Sequence, residues 1–476
     1  MRKNKIVYND FAALAEEFAT VPAVGSSNYQ NAGYLLDIEK RNIINFASFE
    51  GEGIDLLDLT LELADEGDQV GYVSEAISSN SKETDVKIII DLAEGYYTSP
   101  GITIHFFKDH CKEVHIEWIK DSTKIDETDA FPNKLSYFVN RFVENYNRIV
   151  LTIKQTSSAF KFVKIAGIDL GRTREITKFI GPINIFKEIS TDCSDVPGAT
   201  CDFEAFLEED FTPQNEQKIL VYSNDELFGR FIVENAVPQG EGIYSFECSD
   251  EITRLENSSF AELPQGKYSV GDLTESIRSA SNIRIDAEDL ADVMLEGFVQ
   301  KDNSSRYAAA MLSFATGAFL IDEKNKLRLR GPIDKKDKII SSNQIIGKAL
   351  CRKKTPYMAL VLRCFEGDFK NIKLEKTELN PNRKASDSIG ALVFDKYSLF
   401  ADFENRFSEI LEMGFSRDEI EADIILSDEQ IGDIVKIETA YSGVKVGIIK
   451  SLDISLSTIA TAHAVLEERA FREKGE

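Results

Sequence analysis

Three of the chain's four histidines, His105, His110 and His115, lie close together, with Asp109 and Cys111 among them. Imidazole, thiolate and carboxylate are the ligands zinc prefers, and a site needs three or four of them converging in tetrahedral geometry. If residues 101–107 and 113–119 pair as a hairpin, His105 and His115 stand opposite one another near its polar turn. No CxxC or HExxH spacing enforces convergence. The stretch therefore reads as a polar hairpin face, with no metal or cofactor assigned and these histidines as the only metal candidates. A second chemistry lies in the aromatics. Tyr96 and Tyr97 precede a Ser-Pro-Gly turn, and Trp118 is the single tryptophan. Exposed rings of this kind can lie flat on a saccharide, and core packing is their competing use.

Catalytic signatures are missing. There is no GxSxG, and His463 is the only histidine outside the first group. The two GEG turns, Gly51–Gly53 and Gly240–Gly242, lack the lysine and following helix of a phosphate loop. Carboxylate pairs cannot be singled out among 81 acidic residues. The chain is expected not to be an enzyme.

Those residues must be held by a large, acidic, β-rich chain. At 476 residues two to four domains are expected. A formal charge of −26 repels phosphate backbones, so free nucleic acid is excluded as a partner. The opening MRKNKIVYND has basic residues but no apolar stretch of signal-peptide length after them, and no run is long enough to span a bilayer. Synthesis in the cytoplasm is the expectation. Six cysteines without CxxC spacing then read as reduced thiols, and a Cys193–Cys201 bridge is not expected.

Period-two alternation with turns every ten or so residues runs from VKIIIDLAE through FKFVKIAGIDL and predicts a β-sandwich or barrel. Helical spacing of Phe11, Leu14, Ala15 and Phe18 predicts a helical N-terminal segment, and Lys134–Val143 reads as a helical insert. Further on, Ser269 caps a stripe of Leu273, Ile277 and Ala280, and Ala287–Leu295 and Lys396–Gly414 read as helices. Between them, NSSRYAAAMLSFATGAFLIDEKNKLRLRG predicts a helix capped by Ser304 or Ser305 and stopped by Gly317, then a hairpin of Ala318–Ile321 and Leu327–Arg330.

That last unit, and two blocks around it, resemble baseplate hub and tail-tip proteins of tailed phages and phage-tail-like contractile injection particles. LFGRFIV (Leu227–Val233) precedes YSFECSDEITRLEN (Tyr244–Asn257) in the family's order. Gly432, Asp433, Val435, Ile437, Thr439 and Tyr441, then Gly447–Leu452 and Leu456, follow the family's closing pattern. The resemblance spans about residues 200–460 and carries no catalytic signature.

The expected class is α+β, mainly β. An N-terminal helical segment (1–24) and a β-sandwich-like domain (25–189) come first. Hub-like β bodies (190–265 and 336–476) follow, flanking a helical and hairpin insert (266–335). The resemblance implies a structural role in a virion or tail-like particle: joining tail tube to spike or tip through a ring of subunits, commonly a homotrimer. Gly317, Leu320, Leu327, Gly432 and Gly447 are then turn or packing positions of the scaffold. The alternatives are an adhesin at the tail tip, binding a cell-surface saccharide through Tyr96, Tyr97 and Trp118, and a tip-associated cell-wall hydrolase.

Overall fold

The structure, a computed structural model, describes residues 3–11, 19–21, 72–74, 76–92, 95–208, 211–353 and 418–468, apart from 225, 288, 300–302 and 324–325. Of Ala47–Gly51, Leu59–Leu63, Tyr357–Phe365, Ile372–Glu378, Ile389–Tyr397 and Leu399–Phe400 it describes the backbone. The chain divides into two compact units, Tyr8–Arg174 and Met1–Val7 with Glu175–Glu476. It is mainly β, as the alternation predicts, with a few short helices.

The smaller unit is a sandwich. One sheet has the order Ala19–Thr20, Glu83–Leu92, Arg148–Thr156, Cys111–Lys120, Thr123–Ala130, and the other Ser136–Tyr146, Tyr97–Phe106, Lys164–Asp169, Tyr72–Val73. Every second residue faces inward, so Ile88 and Ile90, Ile102 and Ile104, Val114, Ile116 and Trp118, and Ile149, Leu151 and Ile153 make one core. Consecutive strands Tyr97–Phe106 and Cys111–Lys120 do not form the expected hairpin. The first pairs with Ser136–Tyr146 and Lys164–Asp169, the second with Arg148–Thr156 and Thr123–Ala130. The chain crosses from one sheet to the other between them.

Two helical expectations give way here. Lys134–Val143 is not helical; Ser136–Tyr146 is a strand. Its buried residues Val139, Val143 and Tyr146 are spaced four and three apart, which imitates a helix. The cause is a pair of register shifts, between Asn140 and Val143 and between Val143 and Tyr146. Within the N-terminal segment Asn4–Phe11 is also a strand, and Leu14, Ala15 and Phe18 lie outside the described residues.

The larger unit holds most of a thirteen-stranded sheet. One long inner strand, Gly443–Leu456, pairs with Ile183–Glu188, Asp433–Thr439 and Ala460–Glu468. On one side the sheet continues through Thr200–Phe206, Ile243–Ser249 and Glu226–Gly240 to Lys218–Ser223, and on the other through Asp418–Ile425 to Ile345–Lys353. Strands from both strand-rich bodies read from the sequence therefore join one sheet, while Tyr357–Phe365, Ile372–Glu378 and Ile389–Tyr397 form a separate one.

Between them stand α1 (Glu251–Arg254), α2 (Val270–Ser281) and α3 (Ser305–Thr316). Ser269 and Asp272 form a capping box on α2, and Ser304 caps α3 by accepting from the Tyr307 amide. Gly317 ends α3 at φ 67°, ψ 22°, and its amide donates to the Phe314 and Ser313 carbonyls. Phe319–Glu323 and Lys326–Arg330 follow as the hairpin. Leu273, Ile277, Met311, Leu312, Leu320, Leu327 and Leu329 share the core of this part. Gly317→Ala puts a Cβ on a left-handed residue and is expected to cost about 1 kcal/mol, read as a lowered unfolding midpoint with unchanged m-value.

Ala287–Leu295 is not a helix. Turns over 289–292 lead into the strand Met294–Val299, whose pairing with Leu263–Ser269 buries Leu295. The Lys396–Gly414 helix begins where the backbone is instead extended, in Ile389–Tyr397 and Leu399–Phe400. Phe403, Phe407 and Ile410 lie outside the described residues. Among the described residues no helix is long and apolar enough to cross a membrane.

Candidate functional site

The candidates read from sequence do not assemble into one site. His105 is held by Asp169, Nε2 to Oδ2 2.6 Å, and by Ser136, Oγ to Nδ1 3.0 Å. His110 Nδ1 lies 3.1 Å from its neighbour's carbonyl, Cys111 O. His115 Nδ1 lies 2.7 Å from Asp129 Oδ1. The sheet crossing separates His105 from His115, so these three histidines do not converge on one ion. Among the aromatics, Trp118 is fully buried and Tyr97 only 8% exposed, in the sandwich core. Neither can lie under a sugar. Tyr96 alone is exposed; its hydroxyl donates to Asp121 Oδ2 at 2.5 Å, and Lys120 Nζ sits 4.4 Å over its ring. Cys111, Cys193, Cys201, Cys248 and Cys351 form no disulfide. Cys193 packs against Ile189 and Phe319, whereas Cys201 stands opposite Cys248, so no Cys193–Cys201 bridge forms.

What the fold does bring together is a buried ion cluster in the larger unit. Arg230 enters from Glu226–Gly240, Asp322 from Phe319–Glu323, Asp250 from the start of α1 and Lys187 from Ile183–Glu188. Arg230 Nη2 is 3.0 Å and Nε 3.2 Å from Asp322 Oδ1, and the Arg230 amide reaches Asp322 Oδ2 at 3.4 Å. Glu251 Oε2 stands 3.8 Å from the same Nη2. Lys187 Nζ donates to the Phe228 carbonyl at 2.7 Å. Burial pulls the Lys187 ammonium down from its usual range, while Asp322 and Asp250 favour its charge.

Asp250 ties the preceding loop to α1. Its Oδ2 accepts from the Ala199 amide at 2.8 Å and its Oδ1 from the Thr253 amide at 3.1 Å and hydroxyl at 3.2 Å. Room for this approach depends on Gly198. A Cβ there would lie 2.1 Å from Thr253 Oγ1 and 2.9 Å from Asp250 Oδ1. Residues 190–198 have the composition of a linker, yet Cys193 and Val196 are buried. Despite its three donors, burial pushes the Asp250 carboxyl up to about 6.

A raised folded pKa means that the native state holds the proton more tightly than the unfolded chain. This contribution to stability is therefore full below about pH 4 and is lost as pH rises to about 6. Asp250→Asn removes that slope. The difference in unfolding free energy between wild type and Asp250→Asn is expected to shrink by about 2 kcal/mol from pH 4 to 7, measured by urea unfolding across pH. An unchanged difference would contradict the raised pKa.

The positions expected to serve the scaffold lie in the larger unit. Leu320 and Leu327 are core, and Gly432, at φ 82°, lies against Phe319, which a Cβ there would meet at 3.3 Å. Gly447 lets two strands approach, since a Cβ would stand 3.0 Å from the Glu467 carbonyl oxygen. Beside Gly432, buried Asp433 takes Lys335 Nζ at 2.9 Å and buried Glu429 takes Lys338 Nζ at 2.7 Å. Sequence reading passed over Arg230, Asp250 and Asp322. The available signal was a charged residue within each resembling block: LFGRFIV, SDEITRLEN and AFLIDE.

The cavity at this cluster, about 20 Å³ and lined by Lys187, Arg230, Asp250 and Asp322, has room for one water and is too small for a substrate. No nucleophile stands beside a base in it. Its chemistry is that of a polar joint: four segments distant in sequence are fixed in one geometry by buried charges and hydrogen bonds.

No protein-family model matches the chain, and no curated protein matches it. Solved structures do. The tail protein from Neisseria meningitidis MC58 matches at 12% identity over 62% of this chain and 94% of that chain, with a TM-score of 0.48. The 43 kDa tail protein of prophage MuSo2 from Shewanella oneidensis matches at 11% identity over 62% and 96%, TM-score 0.46. Prophage tail protein gp18 from Listeria monocytogenes EGD-e matches at 11% identity over 64% and 92%, TM-score 0.44. Each likeness lies below a TM-score of 0.5 and carries no weight for what this chain does. The solved structures to which this chain is similar include tail proteins of bacteria and their prophages.

Proposed function

We propose that this chain is a structural, non-enzymatic hub or tail-tip component of a phage tail or phage-tail-like particle. The observation that carries the reading is the joint itself. LFGRFIV, SDEITRLEN and AFLIDE, the segments that resemble the hub family, meet in the same buried cluster through Arg230, Asp250 with Glu251, and Asp322. The family pattern is thus tied to contacts that hold the fold. Its role is a scaffold: subunits close into a ring, commonly of three, between the tail tube and a spike or tip. Exposed Ile346, Leu350 and Ile425, on the paired strands Ile345–Lys353 and Asp418–Ile425, supply apolar surface for such contacts. The chain is made in the bacterial cytoplasm and joins other tail or baseplate proteins there.

Light scattering across a concentration series tests ring closure. The expected mass is about three times the 53.4 kDa of the chain. A monomer at every concentration would contradict closure by this chain alone.

A further inference from the structure

The smaller unit carries a group of ionisable side chains that takes no part in the joint. His115 and Glu117 are two residues apart on Cys111–Lys120, so the strand turns both to one face, opposite to that of Trp118. Register sets His115 opposite Asp129 and Glu117 opposite Glu127 on Thr123–Ala130, an edge strand among the described residues. When His115 Nδ1 carries the proton, it donates to Asp129 Oδ1 across 2.7 Å and leaves the Nε2 lone pair free. Nε2 stands 3.6 Å from Glu127 Oε2 and 3.8 Å from Glu117 Oε1, and the three ligand atoms all lie within 4.8 Å of one another.

We propose that His115 Nε2, Glu117 and Glu127 form a site for a divalent transition-metal ion, zinc fitting best, with Asp129 orienting the imidazole. The distances match the ion. Two ligand atoms about 2.1 Å from a tetrahedral zinc are about 3.4 Å apart, so the two His115 separations need close by only a few tenths of an ångström. One imidazole with two carboxylates suits zinc and disfavours magnesium or calcium, which take oxygen shells. The carboxylate behind the imidazole is the arrangement that fixes the tautomer of a metal-bound histidine. Water would fill the fourth position, since the glutamate side chains are 29% and 51% exposed.

The pair of glutamates already attracts a cation. Lys124 Nζ lies 3.2 Å from Glu117 Oε1 and 2.5 Å from Glu127 Oε2. Its side chain is 46% exposed, so the ammonium can swing into solvent as an ion enters. Lysine and metal then compete for the same carboxylates. The metal would also clip an edge strand to its neighbour, where a sheet is otherwise open to further pairing.

Isothermal titration of the full chain with zinc chloride, in a buffer that does not chelate, tests the assignment. Wild type is expected to bind zinc at this site. His115→Ala should weaken binding by about 100-fold and Asp129→Asn by about tenfold. Lys124→Met should tighten it several-fold by removing the competing ammonium, a gain that a damaged fold would not produce. Zinc should also raise the unfolding temperature of wild type and Lys124→Met but not of His115→Ala. Absence of zinc binding in both wild type and Lys124→Met would overturn the site. So would affinity that His115→Ala leaves unchanged.

Discussion

Asp322→Ala is expected to destabilise the larger unit by about 3 kcal/mol, because it takes the nearest carboxylate from a buried guanidinium. Arg230 and Asp322 side chains are only 14% and 12% exposed. Without Asp322, the guanidinium of Arg230 keeps Glu251, 3.8 Å away, but loses its two contacts of 3.0 and 3.2 Å, and the Arg230 amide loses its acceptor. The cost is that of a buried guanidinium that loses its nearest carboxylate, larger than the net worth of the pair. Replacing both partners by apolar residues, Arg230→Met with Asp322→Leu, should therefore recover most of the loss. A second consequence is electrostatic. Asp322 adds to the upward shift of Asp250 and supports the charge on Lys187. Asp322→Ala should therefore lower the pKa of Asp250. Because a chain of two units need not unfold in one step, hydrogen exchange over residues 227–233 and 319–323 is the suitable readout. Protection unchanged in the single variant would show that the pair does not hold the joint.

Trp118→Ala should cost the smaller unit about 3–5 kcal/mol, the range for emptying a buried large aromatic site. Trp118 is fully buried in the sandwich core, packed with the inward residues of both sheets. Its Nε1 has no hydrogen-bond partner. Trp118→Phe therefore gives up volume but no bond, and should cost about 1–2 kcal/mol. Calorimetry resolves both, since the loss should fall on the transition of one unit. A saccharide platform would behave otherwise: Trp118→Ala would abolish sugar binding and leave stability unchanged.

Much of this architecture is legible in the sequence, and the failures have physical causes. Alternation in VKIIIDL and ITIHF gives the strands because burial on one face imposes period two. The same parity places Trp118 with Val114 and Ile116 on the inner face, so its burial was readable from the pattern. Ser136–Tyr146 is the instructive failure, since two bulges convert period two into a spacing of four and three. The α3–Gly317–hairpin unit was legible because cap, stop and turn are local chemistry. The ion joint was not: Arg230 and Asp322 are 92 residues apart, and Asp250 and Ala199 are 51 apart. No local pattern encodes such a meeting. Which of many acids near a basic residue becomes its partner is decided by the sheet order.

The hub reading is tested most directly by immunogold electron microscopy of tail-like particles, using antibody raised against this chain. A hub or tip component predicts label at one end of each particle, where tube meets tip. Label spread along the tube, or particles without label, would contradict it.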